Sequence, residues 1–371
     1  MNQKNAKVMH VINGEFFSGA ERVQDVLAMR LPDYGYEVGF ACIKPGKFSA
    51  CRNSTVPIFE TFMKSKFDLK PAMQIANIVK QGNYSLLHTH TPRAALVGRV
   101  AAWLSDVPLV HHVHSPTTRD TESIWRNRMN SIIERLSLMG VKRLIPVSKS
   151  LELYLKKHGW SANCISMVAN GVVTPGDLPI RQVPGPEWMI GSVALFRPRK
   201  GTEVLIQAVA NLRQTGRTIR LRAVGPFETM EYERTIKEMA DRLGVGDVID
   251  WVGFTQDVNA EFTKMDILVL PSLFGEGMPM VILEAMATGV PVVASDVEGI
   301  PEVLDHGKTG LIVPAGDVRQ LTTVIAELLD NKYDWRAMRE NAYRLQGASF
   351  SDYSMAKGVA RVYDEILHPA H

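Results

Sequence analysis

Residues 271–295 read PSLFGEGMPMVILEAMATGVPVVAS. The run before them, Ile267 to Leu270, is apolar and short enough for a buried strand, and Gly275 and Gly277 then turn the chain. Pro279 suits a first helical position, where a missing N–H costs nothing, and Gly289 suits a stop, so the pattern predicts a helix over Pro279 to Ala287. A second strand is expected at Pro291 to Ser295. Strand, tight turn, helix and strand make a βαβ unit of a parallel sheet, so the fold class is α/β, with a ligand crevice at the carboxyl ends of the strands.

Two carboxylates mark that crevice, Glu276 in the turn and Glu284 in the helix. A helical path between them would run about 12 Å at roughly 1.5 Å per residue, near the reach of a nucleotide-sugar. Gly277, Met278, Pro279 and Met280 lie between them, where the free N–H groups of a helix N-terminus form a ready site for a diphosphate. Ionised carboxylates accept hydrogen bonds only, which suits the vicinal hydroxyls of a sugar and of a ribose. Two glutamates at an arbitrary spacing are more often a cap and a solvated helix residue.

The stretch F-G-E-G-M-P-M-V-I-L-E-A-M-A-T-G-V-P-V-V-A-S nevertheless resembles the E-x7-E signature of the retaining glycosyltransferases of family four, of bacterial surface-polysaccharide type. Val297 to Glu302 and Gly307 to Leu311 are similar to the segments that follow it there. The resemblance implies a GT-B fold, in which two Rossmann-like doubly wound domains face a central cleft and a C-terminal helix crosses back to the first domain. It also implies that Glu276 contacts the donor sugar and Glu284 the ribose.

Upstream, a strand at Met189 to Leu195 ends in Phe196-Arg197-Pro198-Arg199-Lys200-Gly201, which places three cations before a helix over Thr202 to Gln214. Their charge adds to that of the helix N-terminus. The family holds its departing diphosphate with an arginine and a lysine here. Lys200 matches the lysine, and of Arg197 and Arg199 the former is favoured for the arginine. The strand Leu221 to Val224 ends at Gly225, similar to a family V-G-x-G-P whose second glycine is missing, and Gly253-Phe254 matches the place where the base is held.

In the first half, S-G-A-E-R after the strand Val8 to Ile12 resembles the family's G-G-x-E-R turn, with Gly19 letting the backbone approach a ligand. No G-x-G-x-x-G spacing occurs there, which argues against a nicotinamide or flavin site. The strand Leu109 to Val113 carries His111 and His112 and is followed by His114. His112 and His114 share a face, but two histidines without a third ligand nearby are weak evidence for a metal. By the resemblance His114 points at the donor sugar, and His90, at another strand end, has a structural hydrogen-bonding role. A strand is expected at Ile165 to Val168, and an amphipathic helix at about Glu122 to Met139 carrying Trp125, Arg126, Arg128 and Arg135.

The expected domains are residues 1–173 for the acceptor, a proline-rich linker at 174–187, residues 188–350 for the nucleotide-sugar, and a crossover helix at 351–371. A length of 371 residues exceeds one ordinary core, which supports two domains. With 46% apolar and 22% charged residues, no spanning run and no basic-then-apolar leader, a cytoplasmic protein is expected. Cys42, Cys51 and Cys164 are expected as reduced thiols without function. Charge is uneven: Lys and Arg number 22 against 13 acids up to residue 180, and 20 against 26 beyond it. With Phe62, Lys64, Lys66, Phe67 and Lys70 in one loop, that bias is compatible with an anionic membrane surface as a peripheral docking site.

The expectation is therefore a retaining transferase that takes a nucleotide-sugar donor and a glycan or lipid-linked acceptor, without nucleic acid as a partner. No D-x-D motif occurs, and neither a metal nor another cofactor is expected: Arg197, Lys200 and helix N–H groups meet the leaving-group charge. The competing classes are an inverting GT-B transferase, a glycoside phosphorylase and a non-catalytic nucleotide-sugar-binding protein.

Overall fold

The computed structural model describes residues 5–65, 68–115 and 135–369. By contact the chain divides into two units, one of residues 1–171 with 351–371 and one of residues 172–350.

Unit 1 holds a 6-stranded sheet in the order β3-β2-β1-β4-β5-β6. Its strands are β1 (Ala6–Ile12), β2 (Tyr36–Cys42), β3 (Ile58–Glu60), β4 (Tyr84–Thr89), β5 (Leu109–Val113) and β6 (Arg143–Pro146). All pairings are parallel. Val8, Met9, Val11 and Ile12 on β1 are fully buried, as a central strand covered by helices on both faces requires. Strand order reverses between β1 and β4, where a doubly wound sheet opens its crevice.

Unit 2 repeats the plan in the order β12-β11-β10-β7-β8-β9. Its strands are β7 (Glu187–Val193), β8 (Thr218–Val224), β9 (Ile249–Gly253), β10 (Ile267–Leu270), β11 (Val292–Ser295) and β12 (Leu311–Val313), again all parallel. Its core joins Trp188, Ile190, Leu221, Ile267 and Val269 of the sheet to Leu205, Val209 and Leu212 of the helix Thr202–Gln214. Here the order reverses between β7 and β10.

The last helix, Asp352–Leu367, packs into unit 1. Asp352 accepts from Arg30 Nε at 2.5 Å, Asp364 accepts from the Tyr36 hydroxyl at 2.5 Å, and Tyr363 is fully buried. The proline-rich stretch is bound along unit 2: Tyr343 donates to Pro175 O at 2.8 Å, and Arg181 donates to Met265 O at 2.5 Å and Phe262 O at 2.8 Å.

Three expectations need correction. Ile165 to Val168 is not a strand but an isolated bridge to Leu144: Ser166 and Val168 donate to Leu144 O and Pro146 O, and Pro146 has no N–H with which to continue a ladder. The signature helix begins at Met280, with Pro279 as its N-cap in extended geometry. Lys70, expected in the basic loop, instead opens the helix Lys70–Gln81, whose Ile75, Ala76 and Val79 are buried. In the basic loop Phe62 is 63% exposed and Met63 is buried. Lys66, Phe67, Trp125, Arg126 and Arg128 lie outside the described residues.

Candidate active site

Two loops at the strand-order reversal of unit 2 build the site, one after β7 and one after β10. Gly201 (φ 66) lets the first turn back into its helix, and a Cβ there would stand 2.1 Å from Pro271 O. Only glycine allows that approach. Leu273 N donates to Arg199 O at 2.8 Å, and Arg199 Nη1 donates to Phe274 O at 3.3 Å and Gly275 O at 2.7 Å. Arg199 is thereby committed to holding the second loop.

Lys200 and Glu276 meet across these loops as a buried ion pair, their side chains 14% and 6% exposed. Ser272 Oγ donates to the same carboxylate oxygen at 2.7 Å. The Glu276 backbone is held too: its N–H donates to Glu298 Oε2 at 3.1 Å, and its carbonyl accepts from Gly299 N at 3.0 Å. Burial alone would raise the Glu276 carboxyl. The charges of Lys200 and Arg199, with the hydrogen bonds from Lys200 and Ser272, outweigh burial and hold it below the usual glutamate range. Burial lowers Lys200, with Glu276 opposing.

In the sequence Glu298 stands out only as part of the Val297 to Glu302 segment, with no role attached. It carries a positive φ of 36, an uncommon state for a residue with a side chain, and from there it fixes Glu276. A strained non-glycine residue is invisible in a sequence.

Arg197 is held more loosely. Its Nη1 lies 3.4 Å from Glu228 Oε1, and its buried Nε has no hydrogen-bond partner among the described residues. Gly225 (φ 125) donates to Gly253 O at 2.8 Å, and a Cβ on it would reach 1.9 Å from Ala194 O, so it is the point where β8 closes on β7. Phe254 is 44% exposed just beyond. Gly277, Met278, Pro279, Met280 and Glu284 are all buried around the start of the helix Met280–Ala287.

In unit 1, Gly19 is exposed and opens the helix Gly19–Arg30, where the Ser18 backbone N–H and hydroxyl donate to Glu21 at 3.3 and 2.6 Å. Glu21 therefore caps its helix. His114 follows β5 and His90 follows β4, with His90 Nδ1 and His114 Nε2 3.2 Å apart. His90 thus has a hydrogen-bonding role, and it is the third ring nitrogen near His112 and His114 that sequence spacing could not supply.

The cluster extends inward. The ring of His88 lies 4.1 Å from that of His90 and 4.6 Å from that of His10. The Tyr363 hydroxyl bonds His88 Nδ1 at 2.6 Å and His10 Nε2 at 3.1 Å. Burial keeps these imidazoles neutral: His10 and His111 are lowered to about 3 and His114 to about 4, while His88, His90 and His112 fall well below the ordinary value, with neighbouring rings adding to burial.

Known proteins resemble this chain in sequence and in fold. Residues 17–174 match the family model described as Glycosyltransferase Family 4, and residues 177–345 that described as Glycosyl transferases group 1. The putative colanic acid biosynthesis glycosyltransferase WcaL of Salmonella typhimurium is 29% identical over 63% of this chain, and this chain spans 58% of it. The UDP-Gal:alpha-D-GlcNAc-diphosphoundecaprenol alpha-1,3-galactosyltransferase of Escherichia coli is 25% identical over 88% of each chain. Among solved structures, Anabaena Alr3699/HepE in complex with UDP and glucose superposes with a TM-score of 0.85 at 20% identity, over 97% of this chain and 100% of that one. With both halves matched and both sheets wound alike, the protein belongs to the glycosyltransferases of family four, with the GT-B fold.

Proposed function

We propose that the chain is a retaining hexosyltransferase that moves a sugar from a nucleotide-sugar to a glycan or lipid-linked acceptor, in the synthesis of a cell-surface polysaccharide, lipopolysaccharide or glycolipid. The observation that carries this is the buried Lys200–Glu276 pair at the strand-order reversal of unit 2. A buried cation beside a fixed carboxylate suits a donor that combines a diphosphate with a polyhydroxylated sugar. Lys200 and Arg197 take the leaving diphosphate, Glu276 the sugar hydroxyls and Glu284 the ribose, while His114 faces the reacting sugar. With those cations in place, transfer runs without a divalent ion.

The relatives support the acceptor class. WcaL is named for colanic acid biosynthesis, and the galactosyltransferase is named for a diphosphoundecaprenol-linked acceptor. No helix among the described residues is long and apolar enough to cross a membrane. Exposed Phe16 and Phe62, at 52% and 63%, with exposed Lys64, support peripheral docking of this cytoplasmic enzyme on an anionic surface.

A thermal-shift panel of nucleotide-sugars tests the donor, since a ligand at 100 times its Kd stabilises by about 2.7 kcal/mol. Proton NMR of the first-formed product reads the anomer. An inverted anomer would refute retention, and absence of any shift across the panel would refute the donor class.

A further inference from the structure

Parallel pairing of β4 with β5 brings His90 beside His112, and alternation along β5 puts His114 on the same face. The three rings form one stack: His112 lies 4.7 Å from His114 and 5.1 Å from His90, with interplanar angles of 10° and 26°. One ring nitrogen of each residue lies within 4.8 Å of the others. The closest pair, His90 Nδ1 and His114 Nε2, is 3.2 Å apart. Two ligands on a tetrahedral ion with bonds of about 2.0–2.1 Å are separated by about 3.3 Å, so the spacing matches one edge of a site, and binding moves the proton of this hydrogen bond to the donor ring's other nitrogen.

Both ring nitrogens of His112 are buried and without a hydrogen-bond partner among the described residues, as is His90 Nε2. Each such group is costly if nothing satisfies it. Stacked rings must tilt to aim their lone pairs at one point, and no hydrogen bond holds His112 back. His114 is only partly buried, which leaves a route in.

We infer that His90, His112 and His114 bind a divalent first-row transition ion of the zinc class, and that filling this site withdraws His114 from sugar transfer. Three neutral imidazoles select Zn2+, Ni2+ or Co2+ over Mg2+ and Ca2+, which require oxygen ligands. A deeper triad, His10, His88 and His90, shares His90, so the two compete for one ion. The deeper set also has open nitrogens, His10 Nδ1 and His88 Nε2, but all three of its residues are buried, whereas the outer set has the partly exposed His114 to admit an ion. The outer triad is therefore the site. Ion binding needs nothing from the proposed function, whereas the inhibitory consequence rests on its placing of His114.

The test uses the full chain without donor. Co2+ is added and its visible absorption read, and Zn2+ is then titrated to displace it, with Mg2+ as the negative probe. One Zn2+ per chain and a four-coordinate cobalt spectrum are expected. His112→Phe keeps the ring and its volume but removes both nitrogens. It should weaken Zn2+ binding by more than the roughly 10- to 100-fold typical of losing an outer-shell partner. His10→Phe should bind as the parent does.

Equal binding by the parent and His112→Phe would overturn the site, and loss of binding in His10→Phe alone would move it to the deeper triad and overturn the assignment. If either variant fails to fold, 15N-histidine NMR of the parent decides. Zn2+ must shift ring nitrogens of His90, His112 and His114, and unchanged signals there would refute the proposal. In transfer assays the parent should be inhibited by Zn2+ and His112→Phe should not. Binding without inhibition would leave the ion site standing and overturn the link to His114, whereas failure of the donor panel alone would bear only on the proposed function.

Discussion

The two units place polar clusters next to their strand-order reversals and keep them in opposite states. In unit 2 the central buried pair is ionised and satisfied: Lys200 and Glu276 pair, Ser272 donates to the same oxygen, and Glu298 and Gly299 hold the backbone. In unit 1 the buried groups are neutral imidazoles, several with ring nitrogens that no described residue satisfies. A buried charge survives only beside its counter-charge, whereas a histidine escapes the cost of burial by giving up its proton. The first arrangement holds its charges by pairing them, and the second resists protonation and leaves ring lone pairs open.

Acidification should expose that contrast most strongly. His10 and His111, lowered to about 3, stay neutral in the folded state, while in the unfolded chain they take up protons below about pH 6.5. The unfolded state binds more protons in that window, so stability is full above it and falls as the pH drops toward 3, by up to about 1.4 kcal/mol per pH unit for each group. Glu276 has its carboxyl lowered and loses its contribution only as the pH falls below the ordinary glutamate range. Hydrogen exchange at pH 7 and 5, corrected for intrinsic rates, should show unit 1 weakening first. Equal loss in both units would break the comparison.

Breaking the ion pair ranks next. Lys200→Ala leaves a buried carboxylate short of its main counter-charge and should cost about 3–5 kcal/mol of stability, read by urea unfolding. At saturating donor the same variant should lose about 10²- to 10³-fold in kcat. Lys200→Met with Glu276→Gln should recover stability without activity, which separates holding the loop from serving the reaction. Recovery of activity in that double variant would refute the assigned roles.

Arg197 and Arg199 sharpen the unit 2 side. Arg197→Ala removes a guanidinium held by one long ion pair, so kcat should fall by about 10²-fold with little change in melting temperature. Arg199→Ala removes two hydrogen bonds to loop carbonyls and should lower stability by about 1–3 kcal/mol as well. Reversed outcomes would exchange their roles.

The smallest effect belongs to unit 1. Tyr363→Phe deletes the hydroxyl shared by His10 and His88 and should destabilise that unit alone by about 1–2 kcal/mol. Exchange rates in unit 2 should not move.

Much of unit 2 was legible because its signals are local. Glycine turns, the apolar runs of β10 and β11 and the cations before the helix Thr202–Gln214 are contiguous, and the ends of that helix agree with the expected ones. The start of the signature helix was misplaced by a residue because Pro279 suits a cap as well as a first turn. Unit 1 was less legible. His10, which no motif marks, and Tyr363, in a helix expected only as a crossover, meet although 353 positions separate them in the sequence.

Periodicity and turn chemistry determined from sequence alone that the chain is α/β, that its turn and helix carry paired glutamates, and that a lysine and arginines precede another helix, because backbone conformation responds to neighbours a few residues away. Tertiary structure decided what these groups do to one another. It pairs Lys200 with Glu276, turns Arg199 to the loop carbonyls and supplies the third histidine beside His112 and His114. Those contacts depend on strand order and register, which arise when distant segments bury their apolar faces together, and no short window of sequence contains them.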